Sequence, residues 1–442
     1  MTTEPDSVPT RSHSLAVQLG YCVGNIGKSV VWSSFESIML FYLVSIAGFG
    51  PLMAGALLAL SLCWDAIFDL SVARLTDKRG GAKGLAKLVL VGAPLCGTCF
   101  WLIFVLPAPM AVAAAIIACR IGYSLCDVGH NTMLIRVARA PGDAARVSGL
   151  RLVCSASGVA LLALVSGSSL SLTDPAAQRQ SLANGAMAGG MLYVATLFIA
   201  LLATRSLAPP NRTAVGGPSL RPIVRFTRDP SFRRLLSLAA IQAALVPLFQ
   251  RALPFYGQAV RADASWAGPA LLTITLAQSA ALPGWMAISR RYPPRRIAMA
   301  SHGLAIVAML GLTIWPDGAC GRAMLVLLGG ALGGMNLAIW ALLTETVHRC
   351  GSMGGEATPV GLFLAGLKTS AAMGNLLFAG VVAAGSCWDS EAFLPLSATI
   401  IPTLGSVTAL GLLIGWRDSA PPQGRGEGQS GRQLKQAVSP AA

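Results

Sequence analysis

The chain has 442 residues, of which 54% are hydrophobic and only 12% charged. Soluble domains carry about 25% charged residues, so this composition excludes an ordinary soluble protein and points to a chain that crosses a membrane many times. The net charge of +15 would suit a nucleic-acid binder, but the basic residues cluster in alternate loops between apolar runs, as membrane topology requires.

The first fourteen residues are polar and lack the charged-then-apolar order of a cleaved signal peptide. The first span is therefore expected to direct insertion. Twelve apolar runs follow, at 16–45, 51–76, 85–106, 109–137, 147–172, 184–205, 235–260, 265–290, 296–315, 323–347, 358–385 and 393–416. Each can cross a hydrocarbon core of about 30 Å. Gly, Ser and Ala are dense within them, as close helix packing in lipid favours.

Arg74, Asp77, Lys78, Arg79, Lys83 and Lys87 follow the second run, and Arg136, Arg139 and Arg146 the fourth. Seven arginines from Arg205 to Arg234 follow the sixth, and Arg290, Arg291, Arg295 and Arg296 the eighth. The intervening loops are nearly bare, as at Gly48-Phe49-Gly50 and Pro107-Ala108-Pro109. The excess of Lys and Arg places both termini and the 206–234 loop in the cytoplasm, in a multi-pass protein of the cell (inner) membrane. The 206–234 stretch is rich in Pro, Gly and Arg and reads as a linker. It would divide an N-terminal six-helix bundle (16–205) from a C-terminal one (235–416), with cytoplasmic tails at 1–15 and 417–442. A weak repeat supports two similar halves. Trp64-Asp65-Ala66-Ile67 has its counterpart in Trp285-Met286-Ala287-Ile288, 221 residues on, which is half the chain length.

Ionisable residues inside these spans are costly and mark functional candidates. The first span carries Lys28 and Glu36, with Asn25 and Ser29 nearby. Lys28 is expected to pair with a carboxylate on the second or fourth span. The second span carries Asp65 and Asp69, four residues apart and so on one helical face. Two carboxylates this close can hold a proton or a Na⁺ ion between them. As a purely structural pair they would instead be neutralised by Lys28 or Arg151. The fourth span holds Arg120, Tyr123, Ser124, Asp127, His130, Asn131 and Arg136. Tyr123, Asp127, His130 and Asn131 fall at helical spacings and can share a face that lines a cavity. Arg151, Arg251 and Lys368 lie in the fifth, seventh and eleventh spans. Arg251 reads as a residue of an outer gate or interface, and Pro247 and Pro254 permit bending around it. Trp340, with Thr344 and Glu345 following it, is a ring on which a sugar could stack.

The ten cysteines, including the lone Cys96-Gly97-Thr98-Cys99, lie mostly in apolar runs with no second pair to complete a metal site. They read as packing residues. No nucleophile–base pair, metal cluster or phosphate loop stands out, so the chain is not expected to be an enzyme and needs no cofactor.

Gly20-Tyr21-Cys22-Val23-Gly24-Asn25-Ile26-Gly27-Lys28, Trp64-Asp65-Ala66-Ile67-Phe68-Asp69, Tyr123-Ser124-Leu125-Cys126-Asp127-Val128, Arg146 to Arg151, and Gly361-Leu362-Phe363 through Lys368 occur in that order. Together they resemble the glycoside–pentoside–hexuronide:cation symporter family, the melibiose-permease branch of the major facilitator superfamily. The resemblance implies an all-α major facilitator fold of twelve transmembrane helices in two pseudosymmetric six-helix bundles. It implies symport of a small polar solute, a sugar or acidic glycoside, with H⁺ or Na⁺ as coupling cation. Asp65, Asp69 and Ser124 would hold the cation. Lys28, Asp127, Arg151 and Lys368 would border or bind the substrate, where Asn131 and Trp340 are added as candidates. The family's sugar-binding Asp is Ser29 here, its stacking aromatic is Asn131, the Asn between the two carboxylates is Phe68, and Leu62-Cys63 replace the basic residue before the Trp. Loss of a neutral oxygen ligand favours H⁺ over Na⁺. The surplus of Lys28, Arg151 and Lys368 over Asp127 favours an anionic substrate. Asp77, Lys78 and Arg79 are expected to latch an inner gate on Glu345 or Glu356. The expected partners are the solute, the cation and the lipid bilayer, with the protein a monomer that binds no nucleic acid. Two other functions compete: an exporter of a drug, siderophore or amphiphile on the same fold, and a non-transporting membrane assembly factor.

Overall fold

A computed structural model describes residues 13–79, 82–137, 143–207, 227–349, 357–387 and 392–416. Every regular element among them is helical. Among the described residues, eleven spans are long and apolar enough to cross a membrane, and a bent pair at the start makes a twelfth if it is one span.

The first half comprises α1 (Leu15–Ser37), α2 (Pro51–Arg79), α3 (Ala82–Val105), α4 (Pro109–Val137), α5 (Asp143–Leu170) and α6 (Pro175–Thr204). The second comprises α7 (Pro230–Leu245, continued by Leu248–Arg261), α8 (Ala267–Ser289), α9 (Pro294–Ile314), α10 (Gly318–Arg349), α11 (Ala357–Cys387) and α12 (Phe393–Ile414).

Two spans are broken, and each break has a local cause. After α1 the chain bends by 53° at Ile38 and continues as Met39–Phe41 and a π-helical turn, Tyr42–Ile46. Ser34 donates to Val30 O at 2.7 Å and Ser37 to Ser33 O at 2.5 Å. Serine hydroxyls that bond the preceding turn compete with the helical ladder and bend it. α7 breaks at Val246–Pro247, because proline has no N–H to continue the ladder. α7 also starts at Pro230, within the stretch assigned to the linker. Asp229 accepts the Phe232 amide at 2.8 Å, and Pro230 occupies the first helical position, both strong helix-start signals.

The halves meet mainly where α2 packs on α11 and α5 on α8. The α5–α8 crossing is close: a Cβ on Gly268 would sit 2.6 Å from Ala163 O and 2.7 Å from Gly167 Cα. Small residues permit such approach, and in lipid this packing is what drives helices together. At the ends remote from the start of α1 and the finish of α12 the halves also touch through α1 and α7. There Phe41 and Phe255 meet edge to face at 5.0 Å, and Phe255 meets Phe378 of α11 at 5.7 Å. This end of the molecule is closed.

Buried cysteines include Cys22, Cys96, Cys99, Cys119 and Cys126. Cys96 and Cys119 sulfurs lie 3.8 Å apart between α3 and α4, as packing groups. The Trp64/Trp285 repeat is not matched by environment: Trp64 is 41% exposed, whereas Trp285 is buried and donates to Gly330 O at 2.8 Å.

Candidate charged site between the halves

Asp65 lies fourteen residues from either end of α2, about 21 Å by helical rise, and so at the middle of that helix. It is fully buried. Its Oδ2 accepts from Arg120 Nη2 of α4 and lies 4.0 Å from Lys368 Nζ of α11. The neutralising partners expected from sequence, Lys28 and Arg151, are engaged elsewhere. Arg120 reaches Asp65 because α2 and α4 are packed neighbours. Lys368 reaches it because α2 runs antiparallel to α11, with Gly55 seated against Ala379 further along.

Arg120 is itself fully buried. Its guanidinium carbon lies 5.0 Å from the ring centres of Trp32 and Phe35 and 5.4 Å from that of Tyr123. A weakly hydrated, planar guanidinium suits such an aromatic cage, where desolvated cation–π contacts reach about 2 kcal/mol. Its Nε and Nη1, Asp65 Oδ1 and Ser124 Oγ are all buried without a hydrogen-bond partner among the described residues. Ser124 stands close enough to Asp65 to act on its carboxylate. Two of these buried orphans are donors, one is an acceptor and one a hydroxyl, so the centre holds unused capacity for both a cation and an anion.

A second cluster joins α1, α4 and α5. Lys28 Nζ pairs with Asp127 Oδ1 at 2.5 Å. Asn131 Nδ2 donates to the same oxygen at 3.0 Å. Asn131 Oδ1 accepts from Arg151 Nη2 at 3.1 Å and faces Lys28 Nζ at 3.5 Å. The i, i+4 spacing of Asp127 and Asn131 on α4 brings this about. Among the described residues, no carboxylate lies within ion-pairing distance of Arg151, which meets only a neutral amide oxygen. α4 carries Arg120 of the first cluster and Asp127 and Asn131 of the second, about two and three turns on, so one helix joins the two.

A third pair bridges the halves at the closed end. Arg251 of α7 donates through Nη2 and Nε to Glu36 Oε2 of α1, at 2.7 and 3.2 Å. Sequence reasoning treated these residues separately, and the structure joins them. Gly374 of α11 makes room for Arg251: a Cβ there would lie 2.6 Å from Nη1.

The remaining candidates are placed as follows. His130 stacks on Tyr21 at 4.4 Å and its Nε2 lies 2.9 Å from Tyr21 O, which is a packing role. Trp340 is 47% exposed and meets Phe363 edge on at 5.6 Å. Glu345 is exposed and lines a cavity of about 670 Å³ with Arg295, Arg296 and Trp416, all in the second half. The side chains of Asp69, Asp77, Lys78 and Arg79, and Glu356 altogether, lie outside the described residues.

Arg120 was passed over in the sequence because it was assigned no partner. The signal was present: Tyr123, Ser124 and Asp127 stand three, four and seven residues on, so all four share one face of α4. An arginine in such a span requires a carboxylate.

The sequence family described as MFS/sugar transport protein matches residues 20–384. No curated protein sequence matches the chain. Among solved structures, the nucleoside transporter NupG is similar, with 12% identity and a TM-score of 0.68, over 91% of this chain and 100% of that one. A bacterial homologue of the human lysosomal transporter Spinster, inward-facing and unoccupied, gives 14% and 0.64, over 90% and 94%. A POT family transporter in complex with a thioalcohol-conjugated peptide gives 12% and 0.61, over 91% and 95%. At these identities the likeness is one of fold.

Proposed function

The chain belongs to the MFS/sugar transport protein family, and we propose that it is a proton-coupled symporter of a small polar solute bearing an acidic group. Within that family we assign it to the glycoside–pentoside–hexuronide:cation branch, on the ordered motifs from Gly20 to Lys368. The acid would belong to a glycoside or a solute of similar size.

The observation that carries this reading is Arg151, a cation beside the Lys28–Asp127–Asn131 cluster whose partner is a neutral amide. Counting the described centre, Lys28, Arg120, Arg151 and Lys368 face Asp65 and Asp127. A net positive cavity in low dielectric favours an anion. The solute's acid would take a bidentate bond from Arg151, while Asp127 and Asn131 would accept from and donate to its hydroxyls.

Asp65 would carry the coupling proton. Sodium would have to displace both Arg120 and Lys368 and would find Phe68 where an oxygen ligand is needed. A proton needs only a lone pair, and Asp65 Oδ1 has one to offer. Protonation would cancel the charge that holds Lys368 to α2 and release that lysine, on the other half, toward the solute. The halves could then rock about the bound pair, as transporters of two repeats do. Asp69 would stand one turn away as the proton's route.

The test is uptake into proteoliposomes of a matched panel of neutral and uronic glycosides, under imposed proton or sodium gradients. The reading expects uptake of acidic members, stimulated by an inward proton gradient and indifferent to sodium. Uptake confined to neutral members would overturn it.

A further inference from the structure

We propose that Arg120 is the coupling switch: it alternates between Asp65 and Glu36, and Arg251 decides which of the two it holds. The inference rests on the proposed role of Asp65 as proton carrier and adds how opening of the closed end would expose that carrier.

One guanidinium lies between α2, which carries Asp65, and the stretch of α1 that carries Glu36. Arg120 Nη2 is on Asp65, whereas Nε and Nη1 are buried and unpaired. Its aromatic cage comes from Trp32 and Phe35 of α1, and Glu36 is the next residue after Phe35 and one turn beyond Trp32. Glu36 is engaged here by the other half: its Oε2 accepts from two donors of Arg251.

The partition of these residues between the halves gives the switch its direction. Glu36, Asp65 and Arg120 all belong to the first half and stay together when the halves rock. Arg251 belongs to the second half and leaves with it when the closed end opens. Glu36 then becomes a partly buried carboxylate without a partner, which is costly, while Arg120 offers two unused donors beside it. Transfer of Arg120 along its flat aromatic bed to Glu36 satisfies both. Asp65 loses its main counter-charge at the moment that end opens, and accepts a proton. Reclosure returns Arg251 to Glu36 and Arg120 to Asp65, and expels the proton.

The scheme makes the two sides of one ion pair unequal. In Arg251→Met, Glu36 is free in every state and draws Arg120 away, so Asp65 keeps only the more distant Lys368, 4.0 Å away. In Glu36→Gln the same pair is broken, but Arg120 has nowhere to go and stays on Asp65. Dicyclohexylcarbodiimide, which adds to protonated carboxyls in apolar surroundings, reads this without any solute. Purified full-length protein in nanodiscs would be labelled, and adducts on the peptide holding Asp65 quantified by mass spectrometry. Arg251→Met should raise Asp65 labelling about tenfold, equivalent to ~1.4 kcal/mol. Glu36→Gln should leave it at or below wild type, and the double variant should follow Glu36→Gln. Equal changes in both single variants, or none in either, would overturn the switch. Arg251→Gln, closer in shape, must repeat the Arg251→Met result if that variant is poorly folded. Because no solute is involved, failure here would leave the acidic-solute reading standing, and failure of the uptake panel would leave this result interpretable.

Discussion

Replacing Asp65 with Asn is expected to cost the protein both its coupling and part of its stability. The new amide still offers an oxygen to Arg120, but no charge. Arg120 is fully buried, and removing one partner of a buried ion pair leaves an uncompensated charge that costs ~3–5 kcal/mol. The cage of Trp32, Phe35 and Tyr123 offsets part of this. Thermal unfolding in detergent should therefore occur at clearly lower temperature. Accumulation driven by a proton gradient should vanish, while solute exchange down its own gradient persists in the molecules that fold. Asp65→Asn combined with Arg120→Met should recover much of the lost stability, because a matched apolar replacement removes both charges together. It should recover none of the coupling. An unfolding temperature for Asp65→Asn equal to that of the wild type would show that the ion pair is not what holds α2 to α4.

Arg151→Gln is expected to separate binding from folding. Arg151 is only partly buried and bonds a neutral amide, so its loss strands no buried carboxylate. The fold should survive with little change. An acidic solute, however, would lose its bidentate partner. Truncating one side of a desolvated charge pair costs ~2–5 kcal/mol of binding, a weakening of about 30-fold or more. Isothermal titration with a uronic glycoside would measure it. Unaltered affinity would remove Arg151 from the solute site.

The spans were legible in the sequence because a bilayer imposes one rule everywhere: about twenty apolar residues, with the backbone satisfied internally. The break at Pro247 was legible for a similar reason, since proline has a fixed covalent consequence. The bend at Ile38 was not. It arises from Ser34 and Ser37 bonding the preceding turn, and serines on a small-residue-rich span look the same when they merely pack. The start of α7 was misplaced because Arg233 and Arg234 resemble loop residues, although Asp229-Pro230 is a helix-start signature.

For the charged centre, which residues are buried could be read from the chain, but which residue meets which could not. Lys28 and Asp127 are 99 residues apart in sequence, Asp65 and Arg120 are 55, and Glu36 and Arg251 are 215. These pairings are set by which helices are neighbours and by how each helix is rotated, and both follow from packing of many small residues at once. Asn131 illustrates the point. Its spacing of four from Asp127 was a local signal for that contact, yet nothing local indicated that it would also meet Lys28 and Arg151.

Proton movement in step with solute tests the central claim most directly. Proteoliposomes loaded with a pH-sensitive dye, with no imposed gradient, would receive an acidic glycoside from outside. The account predicts acidification of the lumen in the wild type that follows solute entry, and none in Asp65→Asn even where solute exchange continues. Solute entry in the wild type with no proton movement, or unchanged acidification in the variant, would contradict it.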